Sequence, residues 1–98
     1  MEFEWDENKR KSNILKHQLD FPYVAFVFED TERLDFIDDR KIYGEERRIT
    51  IGRIEEFVFV VVYTQRNGAI RIISFRFANK KEKVQYYDNK NDSGRNPQ

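Results

Sequence analysis

The stretch from Phe57 to Phe77 constrains this chain more than any other. Phe57 to Tyr63 reads FVFVVVY, an almost unbroken run of β-branched and aromatic residues. Such a run suits a central strand covered on both faces. Asn67-Gly68 follows, a pair that tolerates positive φ and predicts a tight hairpin. Strict alternation along the return strand sends Arg71, Ile73, Phe75 and Phe77 one way, and Ile70, Ile72, Ser74 and Arg76 the other. A cation closing an otherwise apolar strand face must meet an anion or form one wall of a site. Arg66, beside the turn, and the lysines after Asn79 add positive charge to the same region.

Ninety-eight residues make one domain with a modest core. The absence of cysteine removes disulfides and thiolate metal sites. No apolar run approaches the roughly 20 residues that span a bilayer, and the charged opening MEFEWDENKRK is unlike a signal peptide. A soluble cytoplasmic protein without membrane contact is expected. Lys plus Arg and Asp plus Glu each number 18, and a net charge of zero argues against indiscriminate nucleic-acid binding. The charges are nevertheless unevenly placed. Acids dominate Glu29 to Glu46, whereas Arg66, Arg71, Arg76, Lys80, Lys81 and Lys83 face only Glu82 in the later stretch. That basic region suggests a local anionic partner.

Taken in order, Asp6 is a good cap for a first helix, on which Trp5, Asn8, Ser12, Leu15 and Leu19 form a narrow stripe. Asp20 can cap a second helix, with Phe21, Val24, Ala25 and Phe28 at helical spacing. Strands follow at Leu34 to Ile37, Arg47 to Arg53 and in the hairpin. A last helix runs from Ala78 to about Asn89, with Asn79 as its cap and Val84 and Tyr87 toward the sheet. The reading is an α+β domain over residues 1–89: an antiparallel four-stranded sheet, two N-terminal helices and a C-terminal helix, with a short leading strand as an option. Residues 90–98 lack apolar anchors and are expected to form a disordered tail. There is no phosphate-binding loop, dinucleotide glycine pattern or histidine–acid cluster with metal spacing, so neither cofactor nor metal is expected. The acids from Asp35 to Asp39 read as a solvated strand end.

Many small matches in one order resemble the BrnT family of toxins, the toxin half of a type II toxin–antitoxin module. They include Trp5-Asp6, Lys9, Asn13, Lys16-His17, Phe21, Ala25, Val27-Phe28, Asp30, Gly44-Glu45, Arg47, Gly52, Thr64 and Arg66. They continue through Arg71 to Ser74 (RIIS), Arg76, Ala78, Glu82 and Tyr86. Gln18 stands where the family usually has glycine, and Phe75 where a small residue is common. The resemblance implies a RelE-like ribonuclease fold, inhibition of translation through RNA cleavage, and neutralisation by a BrnA-like antitoxin. DNA would be met only indirectly, through the antitoxin complex.

Given that resemblance, RNA cleavage without a metal uses the neighbouring 2′-hydroxyl as nucleophile. The site must then move protons and stabilise charge on the phosphoryl oxygens. Arg76 and Arg66 suit the second task, because a guanidinium fork grips two oxygens and stays charged. His17 is the sole histidine. Histidine's unperturbed pKa of about 6.5 suits acid or base work, although Lys16-His17 also fits the end of a helix. Glu82 and Tyr86, four apart on one helix face, are further catalytic candidates. Ser74, Lys80 and Lys16 are candidates for holding substrate. The competing reading is a non-catalytic binding module whose basic face holds an acidic protein or DNA segment.

Overall fold

The computed structural model describes residues 1–95, with side chains described through Asn89. Its centre is the expected hairpin. Strands β4 (Phe57–Arg66) and β5 (Ala69–Phe77) pair antiparallel. They join through Asn67 and Gly68, both left-handed at φ 53° and 81°. Strand β3 (Arg48–Ile54) lies on the other edge of β4, and β2 (Leu34–Ile37) lies outside β3, both antiparallel to their neighbours. A further strand, β1 (Phe3–Trp5), pairs with β5 in parallel. The sheet is therefore five-stranded and mixed, in the order β1-β5-β4-β3-β2, rather than four-stranded and antiparallel. Three residues are too few for periodicity to show a strand. Phe3 packs on Phe28 with ring centroids 5.3 Å apart, and Trp5 packs edge-on against Phe21 at 6.1 Å. Glu4, between them, binds Arg71 at 3.0 Å from the opposite face.

Helix α1 (Glu7–His17) starts at Asp6, whose carboxylate accepts the N–H groups of Asn8 and Lys9. It ends at Gln18, which adopts φ 60° in the position where glycine carries no Cβ strain. The second N-terminal helix is shorter than a full helix: a 3-10 turn, Phe21–Tyr23, leads into α2 (Val24–Phe28). These elements cover one sheet face. Phe21, Val24, Val27 and Phe28 meet Phe59, Val61, Tyr63, Ile70, Ile72 and Phe75 in one buried cluster. The fit is close at Gly52, where an added Cβ would lie 2.9 Å from Val27 Cγ1.

The opposite face is only partly covered. Ala78 and Tyr86 pack there on Ile51, Val58 and Val60. Tyr86 belongs to α3 (Lys80–Arg95), which extends past the expected end at Asn89. The expected tail begins within this helix; side chains from residue 90 and all of residues 96–98 lie outside the described residues. Val84 and Tyr87 stay exposed and Tyr86 turns inward instead. The Tyr86 hydroxyl decides that phase, because it donates to Asp30 at 2.6 Å when the ring is buried.

Strict alternation along β5 also fails. Ser74 pairs with Val62 and Ile72 with Tyr63, so Ile73 is an extra residue in a β-bulge. The bulge returns Phe75 to the face of Ile70 and Ile72, where it is buried. Ser74 and Arg76 therefore lie on the face of Arg71, opposite Ile70 and Ile72. Beyond the end of β1, Asn13 of α1 substitutes for a neighbouring strand. Its amide donates to the Phe75 carbonyl at 2.7 Å and accepts the Phe75 N–H at 3.0 Å. The stripe on α1 thus turns inward at Asn13, while Leu15 points to solvent.

Candidate functional site

The partly covered sheet face holds a groove of about 260 Å³, bounded by Phe36, Ile49, Val62, Arg40, Arg76 and Glu82 among others. Its floor is apolar because β2, β3 and β4 present alternate residues there without a helix above them. Its rim is built from two clamped arginines. Arg76 Nη1 and Nη2 each donate to Glu82 at 2.8 Å, and Nη1 also reaches the Phe77 carbonyl at 3.3 Å. Glu82 is fixed in turn by a reciprocal cap. It accepts the Asn79 N–H at 2.9 Å, while Asn79 Oδ1 accepts the Glu82 N–H at 2.8 Å. The Arg76 guanidinium holds the Glu82 carboxyl below its ordinary pKa, so it is an anionic clamp.

A guanidinium has five N–H donors. The contacts of Arg76 leave Nε–H and one Nη2–H without a partner among the described residues, and these form the side-on fork of the group. Arg40 is held in the complementary way. Its Nε and Nη2 grip Asp38 at 2.7 and 2.8 Å, and the Tyr43 hydroxyl stands beside the same guanidinium. The Asp38 side chain is fully buried and also accepts from the Tyr43 hydroxyl at 3.0 Å. Arg40 and these hydrogen bonds hold its carboxyl far below the usual range. Lys81 adds an exposed cation to the groove. Two arginines are thus fixed at one groove, and Arg76 keeps a pair of donors without a partner among the described residues.

A second hollow, of about 320 Å³, opens between α1 and the bulged edge of β5. It brings together His17, Lys16 and Ser74, three of the residues the sequence proposed, and adds Lys9 and Ser12. They are therefore assembled apart from Arg76. Arg66 belongs to neither place. It pairs with Ala69 at the turn while Arg76 pairs with Val60, a separation of roughly 20 Å along β4. One phosphate cannot engage both arginines. Arg66 instead meets Glu45 at 3.0 Å and lowers the pKa of that carboxyl.

Tyr86 has no exposed surface, and burial, with the hydrogen bond to Asp30, raises its pKa. It ties α3 to the segment after α2. Lys80 is an exposed cation at the start of α3 and lines neither hollow. The acids from Asp35 to Asp39 do not simply face water. Asp35 accepts from Arg33 at 2.7 Å, Arg48 at 2.6 Å and the Tyr63 hydroxyl at 2.5 Å. Burial, then Asp35, raises Tyr63 to about 12. Sequence reasoning missed Arg40, which was submerged in an acid-rich segment. The available signal was Asp38 two residues before it, close enough for a local clamp.

Among the described residues no group of three or more His, Asp or Glu side chains is gathered for a metal ion. Nor is any helix there long and apolar enough to cross a membrane. The small mixed sheet, with clamped arginines over an open face, provides donors suited to phosphoryl oxygens. A family model described as a ribonuclease toxin of a type II toxin–antitoxin system matches residues 5–82. The chain is therefore a ribonuclease toxin, with RNA as its substrate and an antitoxin as its partner. It belongs to the BrnT family. A separate search of curated proteins found no match.

Proposed function

We propose that the groove at Arg76 is the ribonuclease site and that it cuts RNA internally without a metal ion. The observation that carries this reading is the Arg76 guanidinium, which lines the groove, is held by Glu82 and keeps two donors without a partner among the described residues, with Arg40 fixed beside it. The Arg76 side-on fork receives the non-bridging oxygens of the scissile phosphate, and Arg40 and Lys81 hold neighbouring charge. The adjacent 2′-hydroxyl gives its proton to water and its oxygen attacks phosphorus as the bond to the 5′-oxygen breaks, the departing oxygen taking a proton from water. This leaves a 2′,3′-cyclic phosphate and a 5′-hydroxyl. Charge rises on the phosphoryl oxygens in the transition state, where fixed donors need no reorganisation. Phe36 and the apolar floor offer a surface for a splayed base. Glu82 acts by holding Arg76, and Tyr86 by holding α3. Arg66 stands outside the groove, and Lys80 contributes only steering charge. In a cytoplasmic setting such cuts stop translation, and a BrnA-like antitoxin restrains the toxin by covering the groove. DNA is reached through that antitoxin.

Arg76→Ala tests the assignment. Its single-turnover cleavage is expected to fall roughly a hundredfold, on the order of 3 kcal/mol, with the melting transition retained. Arg76→Lys should recover only part of the rate, since an ammonium cannot reproduce the fork. A folded Arg76→Ala protein with full activity would remove the groove from the mechanism.

A further inference from the structure

The hollow between α1 and β5 plays no part in the groove's proposed chemistry, yet it differs from ordinary surface. Asn8, Ser12 and Lys16 lie four apart on α1, as do Lys9, Asn13 and His17, so two neighbouring rows face the β5 edge. The span from Asn8 to His17 is roughly 14 Å along the helix axis. Asn13 spends its amide on Phe75 and Leu19 and closes the bottom of the hollow. Among the described residues, the side chains of Lys9, Ser12, Lys16, His17 and Ser74 have no hydrogen-bonded or ion-paired partner. No carboxylate lines the hollow. The groove contains Glu82, and the surface around Arg66 contains Glu45 and Glu46. This is a concavity with unpaired cations and hydroxyls and no internal anion.

Its position matters as much as its chemistry. Ser74 lines the hollow, and Arg76, two residues further along β5, lines the groove. The two positions stand about 7 Å apart along the strand. β1 ends at Trp5, opposite Ile72, and Asn13 takes the Phe75 backbone beyond it, so the path from Ser74 to Arg76 runs over the face those two residues share. We infer that the α1–β5 hollow is a second RNA subsite, which takes the backbone phosphates of the strand whose scissile phosphate lies at Arg76. Lys9 and Lys16 supply charge, and Ser12 and Ser74 supply hydroxyl donors. Lysine suits this place because the phosphates need to be held rather than oriented for reaction. The inference rests on the groove being the cleavage site, since it treats the hollow as an extension of the same strand's path.

The test uses binding alone, with a fully 2′-O-methylated RNA decamer and a matching dinucleotide that the protein cannot cut. For the double variant Lys9→Ala/Lys16→Ala, decamer affinity is expected to fall at least tenfold. The slope of log affinity against log salt should decrease by about 1.4, as for two lost phosphate contacts on a single strand. Dinucleotide binding should not change. Both lysines are exposed, so the melting transition should be retained, and Lys9→Arg/Lys16→Arg should restore decamer binding. Unchanged decamer affinity and salt slope would overturn the inference. So would normal decamer binding with lost affinity for the antitoxin, which would make the hollow a protein-docking site. A failure of the groove reading would be seen separately, as full cleavage by Arg76→Ala. A decamer that still required Lys9 and Lys16 would then mark the hollow as an RNA site independent of the groove.

Discussion

The groove and the hollow lie two residues apart on β5 and hold positive charge in opposite ways. In the groove, Arg76 and Arg40 are each clamped by a carboxylate, so net charge is largely cancelled while donor direction is fixed. In the hollow, Lys9 and Lys16 are unclamped, so charge is available and direction is not. The contrast separates two tasks that a ribonuclease must perform. Transition-state stabilisation rewards donors already in place. Capture of a flexible strand rewards exposed charge and depends strongly on salt.

The contrast can be broken first at the hollow's foundation. Asn13→Ala leaves the buried Phe75 N–H and carbonyl without their partner, and is expected to cost about 2–3 kcal/mol. Chemical denaturation measures this. A loss under about 0.5 kcal/mol would mean that water or a shift of α1 replaces the amide, and the hollow would not be a fixed shape.

Loosening the groove should cost less. Asp38→Asn is expected to lower stability at neutral pH by roughly 1–2 kcal/mol and to slow cleavage, because Arg40 loses its anchor. The folded-state pKa of Asp38 is depressed, so its contribution is present above about pH 4 and is lost as pH falls through the folded value. The difference in melting temperature between the wild type and Asp38→Asn should therefore close on acidification. A difference that stays constant from about pH 4 to about pH 2 would show that Asp38 acts through shape rather than charge.

Much of this architecture was legible because it is local or strongly patterned. The FVFVVVY run, the Asn67-Gly68 turn and the Asp6 cap each have a short-range physical cause. Glu82 and Arg76 were both visible as chemistry, six residues apart across a strand-to-helix turn. The misses come from long-range partners. Asn13 meets Phe75 across most of the chain, and without that contact nothing in the sequence requires α1 to turn that side inward. The bulge at Ile73 breaks a periodicity that had placed Phe75 on the wrong face. Tyr86, rather than Val84 or Tyr87, turns inward because Asp30 awaits its hydroxyl. Arg66 seemed close to Arg76 because the turn feeds the strand, but register places it at the far end of the hairpin. Gln18 shows the opposite case, where a backbone site that favours glycine is formed by another residue.

The central claim is that Arg76, held from one edge by Glu82, offers its other edge to phosphate. Titrating the toxin with RNA carrying a single 2′-deoxy block at the cut site, while following the arginine Nε–Hε signals by nitrogen-15 NMR, tests it directly. The expected result is a large downfield shift of the Arg76 Nε–Hε proton on binding, absent in Glu82→Gln, where the group is no longer held. An Arg76 signal unmoved at saturating RNA, with the protein still cleaving unblocked substrate, would contradict the claim.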